Sequence, residues 1–131
     1  MKQLLLAALL CAPAFHVFAC ADELVGVYTL RNSEGERVEV LKLERRADQL
    51  VAFMKGNSGW DRNPQDVQPY PAEQFAAFTR LPAPPDYCGI VVSGLIVARV
   101  PKGWQWAGLA VQSGYVVISL GGPREAYRVS P

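Results

Sequence analysis

The chain has 131 residues and a nearly balanced charge, with 13 Lys and Arg against 12 Asp and Glu. Binding of phosphate backbones requires a clustered excess of basic residues, and the only adjacent basic pair is Arg45-Arg46. We therefore expect no nucleic-acid partner. The length of the chain suits one domain with a modest core.

Residues 1–19 have the pattern of an export signal. Lys2 precedes a run of Leu and Ala, and the run ends in small residues shortly before the first acids. A positive start, an apolar stretch and a small-residue exit are typical of signal peptides, which are removed during export. We therefore predict that residues 20–131 form a single β-domain that acts in the bacterial periplasm.

The end of this leader fits two processing routes. If the cut precedes Cys20, Val17-Phe18-Ala19 is a lipobox, and the Cys20 thiol carries the lipid that anchors the domain to the outer membrane. If an ordinary signal peptidase cuts after Ala21, the product is free in the periplasm. The lipoprotein, with Cys20 as lipidation site, is the leading prediction. The soluble form and an uncleaved anchor are the alternatives.

The predicted mature chain contains no histidine, because the single His, His16, lies in the leader. Ser-His-Asp sites, Cys-His sites and His-containing zinc or haem sites are therefore excluded. Cys88 is predicted to be a buried, inert thiol, and it can pair with Cys20 only if Cys20 is retained without lipid. We expect no enzyme activity, no metal and no cofactor.

The first half of the domain is predicted to be an antiparallel meander. Alternating apolar residues mark strands over 24–31, 37–44 and 50–54, and turn residues separate them. The apolar phase slips between Val40 and Leu41, which predicts a β-bulge in the second strand.

An irregular region follows. Residues 56–66 form a long loop with two glycines and a proline, and loops of this length are usually functional or disordered. Residues 71–81 carry Phe75, Phe78 and Leu81 at helical spacing. This pattern predicts a short helix that packs on the sheet as a lid.

The second half is predicted to add four strands, over 90–100, 104–112, 115–120 and 124–129. Several strands have two apolar faces, which favours closure or stacking over a single open sheet. The predicted fold class is all-β, a small antiparallel barrel or sandwich of about seven strands with one short helix between the two halves.

Loop aromatics and charges form the candidate protein-binding site. They lie among Pro, Asn and Asp, where burial is difficult, and aromatic and Arg side chains are the usual anchors of protein interfaces. The candidates are Trp60, Asp61, Arg62, Asp66, Tyr70 and Tyr87. Trp104 and Trp106 alternate along a predicted strand, so both rings face one side. Filling of the core is the favoured prediction for them, and an exposed patch for a partner is the alternative.

Two other uses of the loop remain open. Asp61 and Asp66 beside Trp60 resemble the paired carboxylates of a glycosidase. The Asn and Asp oxygens of the loop suit calcium, although the EF-hand spacing is absent. Neither is preferred, because loops collect Asp for its turn-forming hydrogen bonds.

The leading functional prediction is a protein-binding module of the inhibitor or immunity type, directed at an envelope or secreted protein. The alternative is a small β-barrel carrier that holds an apolar ligand under the Phe75/Phe78 helix. A carboxylate-based hydrolase comes last, because the absence of histidine removes the commonest general base at neutral pH.

Overall fold

The computed structural model describes residues 20–129, so the predicted signal peptide lies outside the described residues. Twelve strands and a short helix, α1 (Ala72–Thr79), form most of this part of the chain, and residues 20–22 are also helical. The strands are β1 (Gly26–Arg31), β2 (Arg37–Arg46), β3 (Gln49–Gly56), β4 (Gly59–Trp60), β5 (Gln65–Asp66), β6 (Gln68–Pro69), β7 (Cys88–Val92), β8 (Leu95–Arg99), β9 (Trp104–Trp106), β10 (Leu109–Val111), β11 (Tyr115–Ser119) and β12 (Gly122–Val129).

One curled antiparallel sheet, in the order β4-β3-β2-β1-β12-β11-β8-β7-β6, makes a half-barrel, and β9 and β10 form a small second sheet. β5 pairs with β3, whereas β6, which follows after one residue, pairs with β7. Because β3 and β7 lie towards opposite ends of the strand order, residues 65–69 are a bridging segment between them. The all-β prediction with one helix between the halves is confirmed.

The predicted bulge is present in β2. Tyr28 pairs with Leu41 and Thr29 with Glu39, so Val40 has no partner in β1. A bulge bends its strand and increases the local twist, which suits a sheet that curls.

The strands predicted over 90–100 and 104–112 are instead two hairpins, β7–β8 and β9–β10. Each reverses at two residues whose φ angles are both positive, and such turns match the twist of the paired strands. These turns are Ser93-Gly94 and Ala107-Gly108. The predicted number of about seven strands is therefore too low.

Apolar side chains cover both faces of the β7–β8–β11 part of the sheet. The inner cluster fills the half-barrel and includes Leu24, Tyr28, Leu41, Leu43, Ile90 and Val97. The outer cluster lies under α1 and the β9–β10 hairpin and includes Phe75, Ile96, Ala98, Val111, Val116 and Ile118. The expectation of closure or stacking is confirmed by these two layers.

The helix α1 begins after Pro71 and ends at Arg80, whose backbone N–H donates to the carbonyl of Ala76. Phe75 is buried against the sheet, whereas Phe78 is 48% exposed. The predicted lid is therefore correct for Phe75 and wrong for Phe78.

Glu125 on β12 links that strand to the segment before β11. Its carboxylate accepts hydrogen bonds from the backbone N–H groups of Gln112 and Ser113, both at 2.6 Å. Burial alone would raise the pKa of Glu125. The hydrogen bonds from the two backbone N–H groups and from the Ser113 and Tyr127 hydroxyls have a larger opposite effect, so the pKa lies below its usual 4.5. A lowered carboxyl pKa stabilises the fold above the unfolded pKa, and this stabilisation is lost as the pH falls through the folded value.

We expect the substitution Glu125→Gln to cost about 1–2 kcal/mol of unfolding free energy near neutral pH, because the charged acceptor is replaced by a neutral one. The difference from wild type should shrink as the pH falls through the lowered pKa of the folded Glu125 carboxyl, because the group is then protonated in both the folded and the unfolded protein. Urea unfolding at several pH values measures both quantities, with the exposed Glu36→Gln as control. Parallel stability curves for wild type and Glu125→Gln would contradict this.

Candidate functional site

The structure divides the six predicted binding residues between two places. Trp60, Asp61 and Arg62 lie at β4 and in the loop after it, and Asp66 lies in β5. Tyr70 and Tyr87 pack against the outer cluster beside α1.

Trp60 is half-buried on the sheet surface beside two lysines. The Nζ atoms of Lys42 and Lys55 lie 5.0 Å and 5.4 Å from its ring centroid. Both lysines also bind carboxylates, Lys42 to Glu44 at 3.3 Å and Lys55 to Glu39 at 2.9 Å. The ring and its cations therefore already contact one another within the domain.

Phe53 extends this arrangement. Lys42 Nζ lies 5.1 Å and Arg46 Cζ 4.8 Å from its ring centroid. Phe53 neighbours Ala52, whose side chain belongs to the inner cluster, so Phe53 points to the outer face of the sheet. Its low exposure of 4% follows from the basic side chains that cover it.

Asp61 organises its own loop. Its N–H donates to the carbonyl of Met54 at 2.9 Å, and its Oδ2 accepts from the Met54 N–H at 3.2 Å and from Gln65 Nε2 at 3.1 Å. Arg62 and Asp66 are exposed. The Asp61 carboxylate is thus used for loop structure, which weakens the hypothesis of paired catalytic carboxylates.

Tyr87 is a packing residue. Its ring centroid lies 4.5 Å from that of Phe75, and its hydroxyl donates to the carbonyl of Tyr70 at 2.7 Å. Burial, and secondarily the neighbouring Tyr70, raises the pKa of Tyr87 well above its usual value of 10.0. A Cβ atom at Gly89 would lie 2.7 Å from Tyr87 Cζ, so the ring requires glycine there. Both tyrosines are half-buried, contrary to the expected exposure, and their part in binding stays a prediction.

The exposed Phe78 and Leu81 and the half-buried Trp106 lie where α1 meets the β9–β10 hairpin. The ring centroids of Phe78 and Trp106 are 5.4 Å apart, and Trp106 Nε1 donates to the carbonyl of Thr79 at 3.1 Å. Leu81, just beyond the helix, is 38% exposed. We call Phe78, Leu81 and Trp106 the aromatic face. The sequence analysis favoured a core position for Trp106 over an exposed patch and expected Phe78 to lie in a lid, so this surface was not among its candidate sites.

The layer beneath the aromatic face is filled by rings. The centroid of Trp104 lies 5.5 Å from that of Phe75 and 6.3 Å from that of Trp106, and Phe75 is 0% exposed. The ligand cavity expected under the Phe75/Phe78 helix is therefore occupied by the protein's own side chains.

A pocket of about 260 Å³ lies instead at the bridging segment. Its lining combines carboxylates and amides with apolar residues, and its volume is slightly below the roughly 300–1,000 Å³ typical of ligand sites. The polar lining comes from Asp48, Gln49, Asp66 and Gln68, and the apolar lining from Ala21, Leu50, Val67, Pro69 and Ile90.

Cys20 and Cys88 form a disulfide with a Cα–Cα distance of 5.8 Å. Cys88 is buried, as predicted, but the expectation that it is an unpaired thiol is wrong. A sulfur in a disulfide cannot also form the thioether of a lipid anchor. The disulfide and a lipid on Cys20 are therefore alternatives for the same sulfur, and lipidation of Cys20 stays a prediction.

Within residues 20–129, no helix is both long enough and apolar enough to cross a bilayer. In the same range, no three His, Cys, Asp or Glu side chains converge as metal ligands would. Compared with protein-family models, curated proteins and solved structures, the chain matches none of them.

Proposed function

We propose that the protein is an exported protein-binding module of the bacterial cell envelope, of the inhibitor or immunity type. It acts in the periplasm and contacts an envelope or secreted protein through the aromatic face. The observation that carries this proposal is the exposure of nearly half of Phe78 beside Trp106.

Exposed aromatic rings that are held in place are effective anchors for a protein partner. Aromatic side chains dominate the few residues that carry most of the binding energy in protein interfaces. The hydrogen bond from Trp106 to Thr79 and the packing of Trp104 below hold the Trp106 ring before binding. A preordered ring loses little conformational entropy in the complex.

The charge beside the aromatic face suggests the chemistry of the partner. Arg80 lies between Thr79 and Leu81, is exposed, and takes part in none of the salt bridges among the described residues. We expect the target to present an apolar pocket with an acidic group at its rim. The Trp60 surface is less suited to this role, because Glu44 and Glu39 already bind its lysines.

The ligand-carrier alternative cannot use the space under the helix, because Phe75 fills it, so the pocket at the bridging segment is considered instead. The carboxylates and amides of that pocket do not favour the apolar ligand that the alternative requires. Protein binding is therefore the function that the geometry supports best.

The substitution Phe78→Ala is expected to weaken the complex about thirtyfold, the effect of losing a central anchor worth about 2 kcal/mol. Wild type, Phe78→Ala and Val38→Ala are immobilised and exposed to envelope and secreted fractions of the host. Val38, on β2, is 42% exposed and serves as a matched apolar control outside the aromatic face.

A true target is captured by wild type and by Val38→Ala, and its dissociation constant, measured with the purified protein, rises for Phe78→Ala only. Equal affinity of the three proteins for every captured candidate would overturn the proposal.

A further inference from the structure

We infer that the exported chain begins at Cys20, released by an ordinary signal peptidase, and that this first residue enters a disulfide with Cys88 in place of a lipid. The inference concerns the mature form of the protein and does not rest on the proposed binding function. It differs from both processing routes of the sequence analysis, because it combines a cut before Cys20 with an ordinary signal peptidase.

The burial of Ala21 and Leu24 argues against a cut after Ala21. Ala21 is 7% exposed and Leu24 is 0% exposed, and both belong to the inner cluster. The hydroxyl of Tyr28 donates to the carbonyl of Leu24 at 2.6 Å in the buried interior. A cut after Ala21 would remove one residue of the core together with one half of the disulfide.

Ion pairs hold the same segment on the sheet. Asp22 binds Arg45, and Glu23 Oε2 lies 2.5 Å from Arg99 Nη1. The N–H of Glu23 donates to the carbonyl of Cys20 at 3.1 Å. The segment from Cys20 onward is thus fixed to the sheet by these ion pairs and hydrogen bonds.

This placement is unfavourable for a lipid anchor. The acyl chains of a lipoprotein enter the bilayer from the sulfur of the first residue. Here that sulfur faces the fully buried Cys88, and no linker separates Cys20 from the core. Lipidation would require the segment that contains Ala21 and Leu24 to leave the core.

The residues before Cys20 suit an ordinary signal peptidase. Val17 and Ala19 are the third and first residues before the cut, and both are small enough for the small-x-small pattern of such sites. Phe18 between them is bulkier than a lipobox usually carries at that place.

Formation of the bond is a two-electron oxidation. After hydrolysis of the Ala19–Cys20 peptide bond, the thiolate of one cysteine attacks a disulfide-bonded thiol oxidoreductase of the envelope and forms a mixed disulfide. The second cysteine then displaces the oxidoreductase as a dithiol. The two thiols lose two protons and two electrons, and the disulfide of the oxidant is reduced.

The test uses the full chain with its leader, expressed in a bacterium with an oxidising periplasm and recovered without reductant. We expect the intact mass of residues 20–131 less two hydrogen atoms, with no thiol labelled by iodoacetamide. After reduction in denaturant, two labels should be added. A mass that starts at Asp22, or one increased by a diacylglyceryl group, would overturn the inference.

The variant Cys20→Ser distinguishes the two maturation routes independently of the mass. On our inference it is still processed, stays in the soluble envelope fraction, and exposes Cys88 to the thiol label after denaturation. Lipoprotein maturation predicts the opposite, because a precursor without its lipidation cysteine accumulates uncleaved in the membrane fraction. Incorporation of labelled palmitate into wild type would also contradict the inference.

Discussion

Reduction of the Cys20–Cys88 disulfide is expected to lower the free energy of unfolding by about 4 kcal/mol. The bond joins positions 68 residues apart, so it restricts a large part of the unfolded chain. In the chain-entropy account this restriction destabilises the unfolded state, by an amount that grows slowly with loop length. Domains of this size have a total stability of about 5–15 kcal/mol, so the loss is a large fraction.

Urea unfolding with and without reductant measures this effect, followed by tryptophan fluorescence. The double variant Cys20→Ala/Cys88→Ala is the control, because it has no disulfide and should not respond to the reductant. Unchanged wild-type unfolding midpoints after complete reduction would show that the disulfide adds little to stability.

The predicted loss of stability on reduction makes the stability of the domain depend on whether its compartment is oxidising or reducing. In a reducing environment the segment from Cys20 to Leu24 would be held by its apolar contacts, by the hydrogen bond from the Tyr28 hydroxyl to the Leu24 carbonyl and by exposed ion pairs. Exposed ion pairs contribute about 0–1 kcal/mol each. The periplasm keeps such bonds oxidised. The export signal predicted over residues 1–19 and the disulfide are therefore consistent with one another.

The strands were predictable where local pattern decides the structure. Alternation of apolar residues identified β1, β2 and β3, and the phase slip at Val40 identified the bulge. The hairpin turns at Ser93 and Ala107 were not predicted, because neither residue is a usual first residue of such a turn. The apolar pattern also continues on both sides of each turn. The bridging segment was unpredictable, since its two-residue strands are too short to show any period.

The candidate site was harder to predict, because it depends on contacts between distant segments. The sequence spacing of Phe75 and Phe78 does not show which of the two rings is buried. That depends on where the β9–β10 hairpin packs against the helix. Trp60 lacks strong exposure because β2 and β3 place Lys42 and Lys55 beside it. The pairing of Cys20 likewise requires knowledge of where Cys88 lies in space.

The contrast between Phe75 and Phe78 leads to the second large expected effect. The substitution Phe75→Ala should cost about 3–5 kcal/mol, because it leaves a cavity between Tyr87 and Trp104 where a fully buried ring was. Phe78→Ala should cost less than about 1 kcal/mol, since nearly half of that ring already contacts water. Urea unfolding of the two variants, with wild type alongside, measures both costs.

The two substitutions remove the same side chain from one helix, three residues apart, so differences in helix propensity cancel. Any difference in stability therefore reports burial, and any difference in partner binding at equal folding reports the aromatic face. Equal destabilisation by the two variants would mean that Phe78 is part of the core, and the aromatic face would then lose its exposed anchor. We expect a large loss of stability for Phe75→Ala alone and a loss of binding for Phe78→Ala alone. This result would identify Phe75 as the residue that holds the helix on the sheet and Phe78 as the residue that contacts the target.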